Sequence, residues 1–181
     1  MADAEAWIAL RRLSRDFIAP WEPAWPEDDL TRSGFLRRCL SARRDCDLET
    51  GWSFLVRETQ SGQLVGGISL SAVRRGAIQA GTLGYWIGQP YARQGYMFEA
   101  VERVCDFGFS TLGLHRIHAT CAVNNDASRL LLLKAGFKHE GRALAYLNIN
   151  HIWTDHDLFG RITPRYLTGL TQAGTDLKDP E

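Results

Sequence analysis

A chain of 181 residues and 20.4 kDa has room for one domain with a hydrophobic core of its own, so neither disulfides nor a structural metal is needed to hold it. Hydrophobic residues make up 45% and charged residues 23%, an ordinary globular composition. Lys and Arg total 21, as do Asp and Glu, and this balance excludes a general nucleic-acid or membrane-surface binder, which carries a basic excess.

The start, MADAEAW, is acidic and short of apolar residues, so it does not read as a signal peptide. In AEAWIALRRLSRDFI, Trp7, Ile8, Leu10, Leu13, Phe17 and Ile18 recur at helical spacing and predict a first helix. APWEPAWPEDD stops it with three prolines and makes an acidic, aromatic loop. A second helix is expected over residues 31–46, with Phe35, Leu36, Cys39 and Leu40 inward and Arg37, Arg38, Arg43 and Arg44 on a solvated outer face. WSFLVRE and QLVGGISLS read as strands flanking the turn TQSG, and TLGYWIG is a third strand. The stripe Met97, Ala100, Val101, Val104 and Phe107 predicts a helix over residues 96–110. HRIHATCAV is a strand. NNDASRLLLLKAGF is a helix capped at Asn124 or Asn125 and stopped at Gly136. KHEGRALAYLNINHIWTDHDLFG reads as two strands joined at Asn150-His151, residues that tolerate turn conformations.

This order predicts an α/β fold with a mostly antiparallel sheet and one parallel pair near its middle. Residues 1–167 are expected to form a single domain, with a polar, frayed tail over 168–181. No apolar run approaches the ~20 residues of a membrane span. The cysteines Cys39, Cys46, Cys105 and Cys121 form no CxxC pair and read as reduced core thiols of a cytoplasmic protein. No His, Cys and Asp spacing suggests a metal site.

Two segments carry chemistry. In IGQPYARQGYMFEA a strand ends against a turn and a helix begins, so the first unbonded N–H groups of that helix favour an anion. Gly95 allows close backbone approach, and Arg93 offers a charge-assisted bond to a phosphate. A lone glycine at a helix start reads equally as a plain turn. In NNDASR, Asn125 caps a helix and Ser128 sits in its first turn, a spacing that serves capping alone just as well. Glu99, early in its helix, is a candidate base, although a carboxylate there also suits the dipole. His118, Asp155, His156 and Cys121 are weaker candidates, and alternation along the last strand lets only one of Asp155 and His156 face a site.

Together the two segments resemble the GNAT acyl-CoA N-acyltransferases, and within them the RimJ/RimL type that acetylates protein N-termini, including those of ribosomal proteins. FIAPWEP, LGYWIGQPYARQGYMFEA, HRIHATCAVNNDASRLLLLKAGF and EGRALAYLNINHIWTDHDL follow the RimJ-type order, so the resemblance spans residues 6–159. It implies a GNAT fold whose two central parallel strands splay apart. It implies acetyl-CoA as co-substrate, held at Trp86, Ile87 and Gly88 along the pantetheine arm and at Ala92, Arg93, Gln94, Gly95, Tyr96 and Met97 around the pyrophosphate. Asn125, Ser128 and Lys134 complete the coenzyme site, and Ser128 is the residue expected to assist the leaving thiolate. Trp21 and Glu22, in the acidic loop, are expected at the acceptor, a protein or peptide N-terminus such as that of a ribosomal protein.

The chain departs from the family at four places. Of the three usual loop positions, here Ala92, Gly95 and Met97, only Gly95 keeps the family's residue type. Leu132 stands where many relatives have a tyrosine, and Thr120 where some have a glutamate base. The family starts with a strand before the first helix and this sequence starts at that helix, so the expectation is either that the strand is missing or that the recorded start is internal. The implied reaction is direct attack of an amine on the thioester. An α-amine, with a pKa near ~7.7–8, needs less help to lose its proton than a lysine near ~10.4. Two alternatives stand beside this reading: acetylation of a small amine such as an antibiotic or a polyamine, and a coenzyme-binding module with weak catalysis. Many relatives pair as homodimers, though no residue here demands it.

Overall fold

Residues 2–163 are described in the computed structural model of the chain; the polar stretch from Thr168 lies outside them. Helix α1 (Ala2–Leu13) carries Asp3 and Glu5 in its first turn and Arg11 and Arg12 in its last, charges that suit the helix dipole at both ends. The expected single first helix breaks at Ser14, and one further turn, α2 (Arg15–Ile18), follows. The break has a partner. Ser14 is fully buried, and its Oγ accepts the Gln89 backbone N–H at 2.9 Å, tying the first helix to the loop after the third strand.

Helix α3 (Arg32–Asp47) starts where Thr31 caps it, its Oγ1 accepting the Gly34 N–H at 3.1 Å. The inward set expected for this helix is wrong apart from Phe35, which meets Trp7 at 5.4 Å between ring centroids. Leu36 and Leu40 are 58% and 59% exposed, and Cys39 is exposed as well. The first turn of α3 is pressed most closely against the protein, at Gly34, where a Cβ would lie 2.8 Å from the Asp29 carbonyl. The later turns are mostly exposed, with Ala42 half-buried. Cys39 and Cys46 therefore are not core thiols, whereas Cys105 and Cys121 are buried as expected.

Six strands form one sheet in the order β1-β2-β3-β4-β6-β5. They are β1 (Trp52–Arg57), β2 (Leu64–Arg74), β3 (Ala80–Ile87), β4 (Arg116–Ala122), β5 (Lys138–Ile149) and β6 (Ile152–Ile162). Every neighbouring pair is antiparallel except β3 and β4. That parallel pair is short: it runs from Ala80 opposite Arg116 to Leu83 opposite Ala119. Beyond it Tyr85–Ile87 stays with β2 and Thr120–Ala122 stays with β6. The strands splay, as in the GNAT fold. Asn150 and His151 join β5 to β6 with φ of +47° and +68°, the left-handed pair of a primed hairpin turn.

Alternation along the strands separates two faces. One bears Ile68, Leu70, Leu83, Ile117, Ala119, Cys121 and Phe159, packed beneath α4 (Tyr96–Asp106) and α5 (Asp126–Lys134). The expected stripe of α4 faces this core, but its last turn widens into a π-turn at Phe107–Thr111, which sets Phe107 5.7 Å from Trp52 and 5.8 Å from Phe54. The other face is covered by α1 only where Trp7 and Leu10 meet Leu64 and Trp86. The rest of it carries small or polar side chains, among them Ser53, Ser69, Thr82, Gly84 and Thr120.

Gly66 shows how closely β2 and β3 approach, because a Cβ there would lie 2.5 Å from the Trp86 carbonyl oxygen. Gly66→Ala is expected to destabilise the fold by about 1–3 kcal/mol, the range for overpacking. The loss would be read as a lower urea midpoint at unchanged slope. An unchanged midpoint would show that the strands can part at this point.

Candidate functional site

A cleft of about 1510 Å³ opens where β3 and β4 diverge and reaches both faces of the sheet. On the face under α4 and α5 it is lined by Tyr85, Ile87, Met97, Cys121, Asn125, Ser128 and Lys134. On the opposite face it is lined by Trp7, Arg11, Trp21, Glu22, Trp25, Trp86, Thr120 and His156.

The loop between β3 and α4 shapes one end. A short turn at Gln89–Tyr91 leads to Ala92, and then Arg93 and Gly95 take φ of +62° and +94°. Gly95 caps α4 without a side chain, so no protein side chain caps the first N–H groups of that helix, and these donors border the cleft. The loop is fastened from outside. Tyr96 Oη donates to Glu58 Oε1 at 2.5 Å, Tyr91 Oη to Gln63 Oε1 at 3.0 Å, and Gln94 Nε2 folds back onto the Pro90 carbonyl at 2.7 Å. Arg93 is exposed and lines the cleft, and its left-handed backbone costs roughly 1–2 kcal/mol for a residue with a Cβ.

At the start of α5 the Asn125 Oδ1 accepts the Ser128 N–H at 3.1 Å. Capping uses only the backbone of Ser128. Its Oγ lies 2.7 Å from Tyr85 Oη, across the mouth of the splay. Burial pushes the Tyr85 phenol well above the usual tyrosine range, and the bond to Ser128 offsets this only in part. Burial also raises the Cys121 thiol, to about 11. Both groups therefore hold their protons at neutral pH. Lys134 Nζ stands 4.5 Å from the centroid of the Phe98 ring. Leu132 is fully buried in the core, so no hydroxyl reaches the cleft from that position.

The opposite end is organised by Arg11, only 3% exposed. Its guanidinium donates to both oxygens of Glu22, at 3.1 and 2.5 Å, and lies 4.1 Å from the Trp25 ring and 5.1 Å from each of Trp7 and Trp86. Trp25 Nε1 donates to the same carboxylate at 2.7 Å. Arg37 pairs with Asp28 at 2.5 Å, and Arg38 pairs with buried Asp29. The negative charge expected of this loop is therefore balanced from within the chain at three of its four acids, Glu22, Asp28 and Asp29.

The structure brings Trp86, Ile87, Ala92, Arg93, Gly95, Met97, Asn125, Ser128, Lys134, Trp21 and Glu22 to one cleft. Gly88 adjoins it, packed on Leu10, while Gln94 and Tyr96 turn their side chains away. Glu99 does not fit the role of base: it is exposed on α4 and does not line the cleft. Asp155 accepts the Ala145 N–H at 2.7 Å, whereas His156 is buried at the cleft. His118 does not line it, and burial and Arg116 pull its imidazole below the usual range. Two residues were not singled out from the sequence. The alternation in TLGYWIG already turns Tyr85 toward α5, but nothing in the spacing of Arg11 marks it as buried.

A splayed parallel pair, a helix start without a side-chain cap and a cleft open to both faces are the arrangement that the resemblance to an acyltransferase implies. Residues 1–138 match the Acetyltransferase (GNAT) domain, and the chain belongs to this family of N-acetyltransferases. It is 33% identical over 169 residues to the ribosomal protein uS5-alanine N-acetyltransferase of Escherichia coli, covering 92% of this chain and 87% of the relative. The ribosomal-protein-S5-alanine acetyltransferase of Vibrio fischeri superposes with a TM-score of 0.84 at 31% identity, over 90% of this chain and 89% of the other. Mycobacterium smegmatis RimJ in complex with CoA-disulfide superposes with a TM-score of 0.85 at 27% identity, over 96% of this chain and 85% of the other. The chain is thus a GNAT N-acetyltransferase of RimJ type. Among the described residues, no group of three or more His, Cys, Asp or Glu is placed to hold a metal, and no helix is long and apolar enough to cross a membrane.

The Arg11 cluster yields a stability prediction. Arg11→Met leaves Glu22 without its cation and buried Asp29 with Arg38 alone, and breaking a buried pair from one side costs about 3–5 kcal/mol. Urea denaturation followed by tryptophan fluorescence measures it, and an unchanged midpoint would show the cluster to be dispensable.

Proposed function

We propose that this enzyme transfers an acetyl group from acetyl-CoA to the α-amine of a protein N-terminus, with a ribosomal protein as acceptor. The carrying observation is the two-sided cleft. Its acceptor side is walled by Trp21, Trp25 and Trp86 and floored by Ser53, Gly67, Ser69 and Gly84, small residues that leave room for an extended chain. The arginines that neutralise Glu22 and Asp29 make this end suit a small, uncharged first residue rather than a basic one. The relatives named for uS5-alanine acetylation support the same acceptor. Such an acceptor implies action in the cytoplasm, where ribosomes are built.

The residues present fit the donor. The edge of β3 beyond Leu83 has no strand partner on the β4 side, so Trp86 and Ile87 border the path of a pantetheine arm, whereas the Gly88 N–H is taken by the Val65 carbonyl at 2.8 Å. The N–H groups from Arg93 to Met97, together with the Arg93 side chain, suit a pyrophosphate, whereas the Ala92 N–H is given to the Gln89 carbonyl, and a Cβ built on Gly95 would meet nothing within 4 Å. Asn125 and Lys134 border the same path. Acetyl-CoA, once bound, supplies the activated thioester. Tyr85 and Ser128 share one hydroxyl pair at the mouth of the splay, and burial keeps Tyr85 protonated, so the pair is poised to give a proton to the departing thiolate. The sequence reading assigned this task to Ser128 alone.

Turnover of acetyl-CoA with peptides beginning Ala, Ser or Met, against a panel of small amines, tests the reading. Peptide turnover is expected, with Ser128→Ala and Tyr85→Phe each lowering kcat by about 10²-fold or more. Turnover on amines alone would overturn the acceptor assignment. Coenzyme A binding without turnover on any amine would favour a binding module.

Arg93→Gly separates strain from contact. It relieves the left-handed backbone, so thermal stability is expected to rise slightly. Coenzyme A affinity is expected to fall if the guanidinium reaches a phosphate, and a rise would show Arg93 to be an obstruction.

A further inference from the structure

The acceptor side of the cleft still needs a group that removes a proton. At pH 7 an α-amine with a pKa near ~7.7–8 is mostly ammonium, which has no lone pair to attack with. The carboxylates nearby are occupied. Glu22 is held by Arg11 and Trp25, Asp29 by Arg38, and Asp3 by Arg57. Asp155 accepts a backbone N–H, and Glu99 is exposed away from the cleft.

His156 is different. It is 3% exposed and lines the cleft, one strand over from the splay, with its backbone opposite Ala122 of β4. Phe159, three residues on, packs into the core beneath α4 and α5, so alternation turns His156 to the acceptor face. Its Nδ1 lies 2.9 Å from the Thr154 carbonyl oxygen. A carbonyl only accepts, so Nδ1 carries the proton there, and the neutral ring presents Nε2 as a bare lone pair. Nε2 has no protein partner among the hydrogen bonds of the described residues. The Tyr146 ring, 6.0 Å away between centroids, packs beside the imidazole. The other charged groups lining this side of the cleft are Asp3, Arg11, Glu22 and Arg38.

We propose that His156 is the catalytic base of this enzyme, with Nε2 accepting the proton that the acceptor ammonium must lose. The free amine then attacks the thioester carbonyl carbon. A C–N bond forms and the C–S bond breaks. The second N–H proton leaves the adduct and is matched by the proton that Tyr85 and Ser128 give to the thiolate. His156 returns its own proton to water, so each turnover yields amide, thiol and one released proton. The identity of the amine rests on the acceptor reading above, but the role of His156 does not.

The test is the pH dependence of kcat/KM for the wild type and His156→Gln, between about pH 6.5 and 9, which brackets the α-amine pKa. His156→Gln is expected to be about 10²-fold slower at pH 7. The gap should close as pH rises past ~8 and the acceptor deprotonates without help. KM for acetyl-CoA should not change, and added imidazole should restore part of the activity of His156→Ala. A merely structural role would lower the rate by the same factor at every pH, and that result overturns the proposal. So does wild-type activity in His156→Gln, or loss of coenzyme A binding in both variants. If the wild type acetylates only a small amine, the N-terminal acceptor fails, and the same comparison on that amine decides His156. Turnover on nothing overturns both.

Discussion

The parallel strands β3 and β4 pair over only four positions, and the chemistry of the protein depends on where that pairing stops. Backbone N–H and C=O groups inside a sheet need partners. Past Leu83, β3 has β2 on one side and nothing on the other; past Ala119, β4 has only β6. The sheet could not afford such a gap in its middle unless water or a ligand filled it. The gap lets a single cleft meet both faces, so two molecules can approach one point from opposite sides without sharing a wall. It also brings Tyr85 and Ser128, 43 residues apart in sequence, to either lip of the opening.

The acceptor face depends on a second constraint, the burial of one cation. A desolvated guanidinium is tolerable only where carboxylates and ring faces replace its water. Arg11 has both, from Glu22 and three indoles. This joins α1, the proline-rich loop and β3 into one unit, since Trp7, Trp25 and Trp86 belong to those three elements. The same pairing removes charge from the loop. A stretch that is acidic in sequence becomes an aromatic wall with three of its four charges balanced from behind.

How much of this the sequence disclosed follows from the range of the interactions. Local rules located the Asn125 cap, the stop at Gly136, the TQSG turn and the Asn150-His151 turn, because each is set by a few adjacent residues. The splay and the coenzyme loop came from resemblance. The misjudged α3 shows the limit of periodicity: an apolar face marks where a helix could be buried, but this one packs most closely at its first turn, where Gly34 meets the Asp29 carbonyl. Ser14 looked like one more helical residue until Gln89 used its hydroxyl. Neither Arg11 nor Tyr85 was singled out in the sequence. Each owes its role to a partner that only the fold brings near. Capping, weighed against chemistry at Ser128 in the sequence, uses only its backbone N–H and leaves its Oγ to Tyr85.

Under the proposed mechanism the two faces of the splay handle protons in opposite directions, and their surroundings differ accordingly. On the donor face, burial raises Tyr85 and Cys121, so neutral hydroxyl and thiol groups keep their protons until a thiolate appears. A carboxylate placed there would compete for that proton. On the acceptor face, His156, which lines the cleft, commits its Nδ1 to the Thr154 carbonyl and so leaves its lone pair on Nε2. A free carboxylate beside it would hold the acceptor ammonium as an ion pair and oppose its deprotonation. Pairing Glu22 with Arg11 and Asp29 with Arg38 takes the nearest two out of that competition. The internal arginines thus serve stability and reactivity through the same contacts, by keeping the acceptor side apolar enough for a neutral amine to persist.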